Sequence, residues 1–135
     1  MDNQRQHILV INPNSDESVT EGMARELRGF HFSEGPGIEC VSLPDGPFSI
    51  ESQADIEAVT LPLRKMVSES RNVDAFVIAC YSDPGLHVCR EASEKPVFGI
   101  QECGILTAMS RGDRFGVIAL QERSIRRHLR YLRQM

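Results

Sequence analysis

The stretch VDAFVIACYSDPGL, residues 73–86, contains the strongest strand pattern in the chain and the turn that follows it. Residues 73–80 are apolar almost throughout, which is typical of a strand whose sheet is covered on both faces. Ser, Asp, Pro and Gly follow at once and predict a turn. Pro84 suits the first turn of a helix, and Asp83 is a natural N-cap before it. The stretch therefore predicts a buried strand, a tight turn and a helix.

The same alternation of strand and helix runs along the whole chain. Short apolar runs predict strands at residues 7–12, 37–43, 73–80, 96–100 and 114–120, and helical patterns follow each of them. This order predicts an α/β fold in which a parallel sheet carries helices on both faces. The polar residues 111–113, RGD, are the best candidate boundary, so we expect one α/β lobe in residues 1–112 and a separate unit in residues 113–135.

Three details of the helical patterns can be compared directly with a structure. The first helix is predicted to have Asn14 or Ser15 as its N-cap, with Glu17 at the capping-box spacing. Pro62 predicts a kink or a restarted helix within residues 53–71. The apolar stripes consist of Val19, Met23, Leu27 and Phe30, then Val59, Leu63, Met66 and Val67, then Ile105, Leu106 and Met109, and finally Ile125, Leu129 and Leu132.

Composition and charge exclude several classes of protein. The chain has 135 residues, 41% of them hydrophobic, and a net charge of −4, which suits one acidic globular domain and argues against a general nucleic-acid role. Residues 123–135 hold five arginines and no acid; we interpret them as a solvated helix face, with nucleic-acid binding as an alternative. Since no membrane span or signal-peptide pattern is present, we expect a cytoplasmic protein that does not bind membranes.

Polar residues and one thiol follow the predicted strands at the edge where parallel sheets bind ligands. Cys80 is the sharpest candidate, because a thiol just before a helix N-terminus is expected to have a lowered pKa and to lie beside N–H groups that can hold an oxyanion. The alternative is a cysteine that only packs at a strand end. The remaining cysteines, Cys40, Cys89 and Cys103, are interpreted as reduced structural residues.

Other chemistries find less support in the sequence. There is no CxxC pair or clustered set of metal ligands, so we expect no metal site. The glycine-rich dinucleotide motif and the phosphate-binding P-loop motif are also absent. His87 is the histidine nearest to Cys80 in sequence, and a dyad of Cys80 with His87 remains an alternative.

Four motifs together resemble the hydantoin and allantoin racemases of the aspartate/glutamate racemase superfamily. They are INPN at residues 11–14, PFSIES at 47–52, VIACYSDPGL at 77–86 and PVFGIQEC at 96–103. The resemblance extends over essentially the whole chain, which corresponds to about the first half of a typical member. It implies a two-lobed α/β fold and racemisation of a cyclic ureide, a small-molecule substrate, without metal or other cofactor.

The resemblance also implies roles for individual residues. Cys80 would be one of two acid/base thiols that act on the carbon next to a carbonyl. Ser82 and Asp83 would help to hold a ring carbonyl. Asn12 and Asn14 match the first loop of the substrate pocket, and Ser49 and Ile50 match the second.

The chain departs from this family pattern in its last part. The second catalytic cysteine of the family lies in a later segment of the type GC-(small)-G, and no such segment precedes Met135. Residues 113–135 would then be a strand and a basic helix left from a second lobe, so we expect a fragment, a truncated product or a degenerate relative. Exposed apolar residues in this remnant predict a homo-oligomer. The alternative function is an inactive lobe that serves as an oligomerising or binding module.

Overall fold

The computed structural model describes residues 5–135 and confirms the predicted α/β class. The strands are β1 (His7–Asn12), β2 (Gly37–Ser42), β3 (Ala75–Ile78) and β4 (Val97–Gly99). The helices are α1 (Glu17–Leu27), α2 (Gln53–Glu69), α3 (Leu86–Ala92), α4 (Ile100–Arg111) and α5 (Glu122–Leu132), with a 3-10 turn at Arg28–Phe30 after α1. In the described part of the chain, no helix is long and apolar enough to span a lipid bilayer.

The four strands form one parallel sheet in the order β2-β1-β3-β4. The longest ladder joins β1 to β2, from the pair His7–Gly37 to the pair Asn12–Ser42. Parallel neighbours require long crossover connections, and the helices between the strands provide them. All four strands therefore end at the same edge of the sheet, where the loops that carry the candidate residues meet.

One face of the sheet holds the main hydrophobic core. Alternate residues of the two central strands point to this face because side chains of a strand alternate between its two sides. They pack against buried residues of α2 and α3, so these two helices cover that face. The core consists chiefly of Leu9, Ile11, Phe76, Ile78 and Val97 from the strands, Val59, Leu63 and Val67 from α2, and Leu86 and Cys89 from α3.

The opposite face is covered unevenly. The side chain of Asn12 points to this face, because Ile11 before it points to the core, and it donates to Thr20 Oγ1 of α1 at 3.1 Å. Helix α1 therefore covers the face near β1 and β2. In register with Val77 of β3, Phe98 of β4 also points to this face, and its side chain is exposed. This face of the sheet is thus covered at β1 and β2 but is exposed at Phe98 of β4.

The beginning of α1 differs from the prediction. Asp16, and neither Asn14 nor Ser15, is the N-cap, and its carboxylate accepts from the backbone N–H of Ser18. The predicted apolar stripe was also wrong for this helix, because Thr20 is its one buried residue and Val19 is exposed. The bond from Asn12 to Thr20, together with the bond from Ser42 to Glu17, turns the polar side of α1 toward the sheet.

Helix α2 follows its predicted stripe and runs without interruption through Pro62. Its buried residues include Val59, Leu63 and Val67, and Met66 packs against the same core. Ser52 and Asp55 form a reciprocal capping box at its N-terminus. The predicted restart at Pro62 was therefore wrong, because burial of this stripe and a strong cap hold one continuous helix.

The predicted fifth strand does not form. Residues 113–120 pair with no strand among residues 5–135, although the segment is rich in apolar residues. A strand needs a partner backbone for its N–H and C=O groups, and no described strand lies alongside this segment. The side chains of Ile118 and Leu120 are 92% and 96% exposed. The sequence has the apolar pattern of a strand here, but no neighbouring strand in the described part of the chain forms backbone hydrogen bonds with it.

The last two helices bury polar residues where apolar ones were predicted. In α4, Ile105 is buried as predicted, but Leu106 and Met109 are exposed and Gln101 is buried instead. In α5, Ser124 and His128 are the buried residues, whereas Ile125 and Leu129 of the apolar stripe are 45% and 46% exposed. These polar sides face the carboxyl edge of the sheet, and they form part of the candidate site.

Candidate functional site

The loops after β1 and β2 are fixed to each other by backbone and side-chain hydrogen bonds. The Asn12 side chain donates to Asn14 Oδ1 at 2.7 Å and is almost fully buried. Leu43 N–H donates to the carbonyl oxygens of both asparagines, and Ser15 N–H donates to the carbonyl of Pro47 at 3.0 Å. Asn12 and Asn14 thus stabilise the loops at this edge of the sheet, and their side-chain amides form hydrogen bonds within the protein.

The chain turns sharply after β3, at the centre of the edge. Ala79 N–H still donates to the carbonyl of Ile11, and the carbonyl of Cys80 then accepts from the N–H groups of Ser82 and Asp83 at 2.7 and 3.0 Å. Asp83 adopts a positive φ of 43°, a conformation in which aspartate is one of the tolerated residues. Helix α3 begins only at Leu86, with Gly85 as its N-cap residue. Cys80 is therefore six residues from that helix and lies in the turn itself.

Asp83 caps a different helix from the predicted one. Its carboxylate accepts from the backbone N–H groups of Gln101 and Glu102, at 2.9 and 2.7 Å, at the start of α4. A Cβ on Gly99 would overlap this carboxylate, so the close approach requires glycine there. The prediction that Asp83 caps the helix after Pro84 was wrong, because its side chain bonds across the sheet edge to the helix that follows β4.

Helix α5 contacts the lobe through its polar side. The Nδ1 of His128 lies 3.3 Å from Gln101 Nε2, and its ring packs edge-on against Tyr81 with the ring centroids 5.4 Å apart. The hydroxyl of Tyr131 donates to Asp83 Oδ2 at 3.4 Å. Arg123 forms an ion pair with Glu51, which precedes α2. These contacts hold α5 across the carboxyl edge of the sheet.

A cavity of about 310 Å³ lies between the lobe and the last 18 residues of the chain. A volume of this size is at the lower end for small-molecule sites. The residues around it come from the loop before α2, the turn after β3, the segment before α5, and α5 itself: Ser49, Ile50, Glu51, Cys80, Tyr81, Ser82, Ile118, Leu120, Gln121, Ser124, Arg127 and His128. It is the cavity that contains the candidate thiol.

Four of the residues singled out in the sequence meet at this cavity: Cys80, Ser82, Ser49 and Ile50. The other three, Asn12, Asn14 and Asp83, do not line it and instead hold the surrounding loops and helices in place.

Sequence reasoning missed the contribution of α5, above all Arg127 and His128. Ser124, His128 and Tyr131 recur at helical spacing, but the apolar residues beside them, such as Ile125 and Leu129, form an equally regular stripe. Periodicity alone favoured the apolar stripe as the inward one. The polar stripe faces inward because it has partners at the sheet edge, in Gln101 and Asp83.

The electrostatics of Cys80 are the reverse of the prediction. Burial of the side chain and the negative charge of Asp83 raise the pKa of Cys80 to about 11, from an ordinary value near 9. The guanidinium of Arg127 and a hydrogen bond from the Ser82 backbone lower this pKa, but less strongly. The expected stabilised thiolate is therefore wrong for this structure, because burial and the Asp83 carboxylate favour the neutral thiol and α3 begins only at Leu86. At neutral pH Cys80 is a protonated thiol.

The remaining cysteines and His87 lie outside this cavity. Cys89 is buried in the core, as predicted, whereas Cys40 in β2 is half-buried and Cys103 in α4 is exposed. His87 is exposed on α3 and is absent from the cavity wall. Within residues 5–135, no group of three or more His, Cys, Asp or Glu side chains is placed to hold a metal ion. Cys80 is therefore the one thiol that lines this cavity, and the other residues there that can carry a proton are Glu51, Tyr81 and His128. Burial and Arg127 lower the pKa of His128.

Comparison with known sequences gives a consistent result. The family model for Asp/Glu/Hydantoin racemase matches residues 8–135. A hydantoin racemase from Pseudomonas sp. (strain NS671) is 41% identical over 120 residues, which are 86% of this chain and 47% of that protein. A hydantoin racemase from Rhizobium meliloti is 40% identical over 124 residues, which are 88% of this chain and 50% of that protein. The chain spans about half the length of these relatives.

Comparison of folds agrees with the sequence match. An allantoin racemase from Klebsiella pneumoniae superposes with a TM-score of 0.88 at 30% sequence identity, covering 96% of this chain and 53% of that one. An allantoin racemase from Pseudomonas fluorescens gives a TM-score of 0.87 at 26% identity, covering 96% and 55%. The match includes nearly all of the chain.

Proposed function

The chain belongs to the Asp/Glu/hydantoin racemase family, and on that premise we propose that it transfers a proton at the carbon next to a carbonyl in a hydantoin or allantoin type ring. The observation that carries this proposal is the thiol of Cys80 on the wall of a cavity large enough for a small ring. The named relatives are hydantoin racemases and allantoin racemases, and their names supply the substrate class.

The protonation state of Cys80 defines the half-reaction that it suits best. A buried thiol with a pKa of about 11 retains its proton at neutral pH, so it is ready to donate that proton to a carbanion-like intermediate. In the other direction, a thiolate takes the proton: the C–H bond breaks, an S–H bond forms and the electron pair moves to the carbonyl oxygen. No metal or other cofactor takes part in the proposed reaction.

The raised pKa sets a condition on the reverse step. For Cys80 to act as the base, positive charge has to come nearer to the sulfur when the ligand binds, since burial and Asp83 both oppose the thiolate. Ser82, on the same cavity wall, has a hydroxyl that is available to a ring carbonyl, although in this structure it donates to the carbonyl of Tyr81 at 2.8 Å. Ser49 and Ile50, in the loop before α2, also line the cavity and would limit the size of the ring substituent.

Stereoinversion requires proton carriers on both faces of the carbon, and among the residues that line this cavity Cys80 is the one cysteine. We therefore propose that this chain performs at least the proton exchange on one face. Complete racemisation requires a second proton carrier on the other face of the carbon, from another titratable residue of this cavity or from another copy of the chain.

Hydrogen exchange tests the proposal directly. Enantiopure hydantoins and allantoin are incubated with the protein in D₂O, and deuterium at the chiral carbon is followed by proton NMR against a protein-free blank. We expect exchange above the blank and loss of that excess in Cys80→Ser. The matched control is Cys103→Ser, which removes an exposed cysteine outside the cavity. Exchange that survives Cys80→Ser would rule out the proposed role of the thiol.

A second candidate function is an oligomerising module, and exposed apolar side chains favour it. Ile118 and Leu120 are almost fully exposed before α5, and Ile125 and Leu129 lie along an apolar groove of about 290 Å³ on the outer side of that helix. Exposed apolar surface of this kind commonly marks an interaction site. We propose that two copies associate through the groove lined by Ile125 and Leu129.

A further inference from the structure

Arg127 occupies a position that neither the motifs nor the proposed proton transfer uses. Its side chain lines the cavity that contains Cys80, and it also lines an adjacent cavity of about 390 Å³ beside Gln101 and Tyr131. Ser82 is the other residue that the two cavities share. Arg127 thus lies at the junction of both spaces, together with Ser82 of the turn that bears the thiol.

The guanidinium at this junction lacks the partners that a half-buried cation normally has. Its Nε is buried and is the one buried side-chain nitrogen or oxygen without a hydrogen-bond partner among the described residues. The ion pairs found within residues 5–135 do not include Arg127, whereas Arg123, one helical turn earlier, is paired with Glu51. A buried donor without an acceptor is unfavourable, so such groups in proteins usually have a ligand, a water or an ion as partner.

We infer that Arg127 is a ligand-binding residue of the cavity, whose Nε–H donates to a carbonyl oxygen of a cyclic ureide. An arginine can only donate, so its partner has to be an acceptor, and a ring oxygen that gains negative charge is a strong one. The inference rests on the proposed function for the identity of the ring, but the presence of an unsatisfied donor beside the thiol does not depend on it.

The charge of Arg127 also acts on the thiol. Its positive charge lowers the pKa of Cys80 and opposes the effects of burial and Asp83. One guanidinium would therefore stabilise both of the negative charges that proton transfer creates in turn, on sulfur and on oxygen. This double effect distinguishes Arg127 from a residue that only shapes the pocket.

Binding of unsubstituted hydantoin tests the inference without requiring turnover, because this achiral ring cannot be racemised. Protein labelled with ¹⁵N-arginine is titrated with hydantoin, and the side-chain Nε–H signal of Arg127 is identified by its absence in Arg127→Lys. We expect this signal to shift as the cavity fills. Binding with an unchanged Arg127 signal, no detectable binding, or a shift produced by acetate and not by hydantoin would each overturn the inference.

Affinity measurements on variants provide a second readout. Arg127→Gln should weaken hydantoin binding about tenfold to a hundredfold, the range for a lost charge-assisted hydrogen bond. Arg127→Lys should fall between this variant and the native chain, because it keeps the charge and loses the planar fork. The matched control is Arg126→Gln, the exposed neighbour on the same helix, which should bind as the native chain does. Equal losses of hydantoin affinity in Arg126→Gln and Arg127→Gln would show that only the net charge of the chain matters, and would overturn the inference.

The two proposals fail in different ways. If hydantoin shifts the Arg127 signal but no deuterium enters a chiral hydantoin, the binding role stands and the proposed proton transfer fails. If exchange depends on Cys80 but is unchanged in Arg127→Gln, the proton transfer stands and the role of Arg127 fails.

Discussion

The carboxylate of Asp83 occupies the space that a side chain on Gly99 would need. From there it accepts two backbone hydrogen bonds at the start of α4, from Gln101 and Glu102. The turn that carries Cys80 is thereby joined to the helix after β4, which is the neighbouring strand of the sheet. The position of the thiol depends on this contact between two residues that are 16 positions apart in the sequence.

Gly99→Ala should displace the Asp83 carboxylate and destabilise the fold. The φ of Gly99 is −105°, which alanine adopts without strain, so the cost comes from the clash and from weakened capping. We expect a loss of about 2–4 kcal/mol in the free energy of unfolding, measured by urea denaturation. The control is Gly104→Ala in the middle of α4, where the nearest atom to an added Cβ is a Tyr81 ring carbon at 4.0 Å. It should stabilise the protein by up to about 1 kcal/mol, and similar losses in both variants would contradict this account.

Asp83→Asn should change stability and thiol reactivity in opposite directions. The variant keeps the shape of the side chain but loses the charge that caps α4, so the free energy of unfolding should fall by about 1–2 kcal/mol. The same charge raises the pKa of Cys80, so its removal should lower that pKa and speed alkylation at mildly alkaline pH. Site-resolved mass spectrometry after iodoacetamide treatment measures this rate. Buried Cys89 is labelled only when the core opens, so it serves as an internal control. Faster labelling at both cysteines would mean that Asp83→Asn increases local unfolding and would contradict the electrostatic explanation.

The pH dependence of Cys80 alkylation should follow its raised pKa. The thiolate is the reactive form, so the rate should climb with pH above about 9 and reach half of its maximum near pH 11. Burial and Asp83 favour the neutral thiol in the folded state, and both effects vanish on unfolding. In urea the midpoint for the same residue should therefore fall to its ordinary value near 9. A folded-state midpoint below that of the unfolded chain would contradict the electrostatics described above.

Self-association through the outer side of α5 should depend on its exposed apolar residues. The double variant with Ile125→Gln and Leu129→Gln should shift the protein toward monomer in sedimentation velocity, because it removes the apolar area that an interface would bury. Leu61→Gln is the control, since Leu61 is also an exposed apolar residue, at 70%, but lies on α2. A native chain that sediments as a monomer at tens of micromolar would refute the predicted oligomer.

Much of the fold was predictable because its signals are local. The bounds of β1 were predicted to the residue, and the buried stripe of α2 was correct despite Pro62. Strand composition, helical periodicity and the racemase motifs all appear within short windows of sequence. The same local signals failed for residues 113–120, where an apolar pattern has no neighbouring strand to pair with.

The sequence by itself determined the fold class and the family, and it predicted Cys80 at the end of a strand over residues 73–80; in the structure β3 ends at Ile78 and Cys80 lies in the turn after it. Only the tertiary structure decided what surrounds that thiol. Asp83 reaches across the sheet edge to α4, and α5 brings Arg127 and His128 to the cavity from more than 40 positions later in the chain. Burial and the charge of Asp83 raise the pKa of the thiol, and Arg127 from α5 opposes them. Such effects depend on burial and on separation in space, and neither can be read from local sequence patterns.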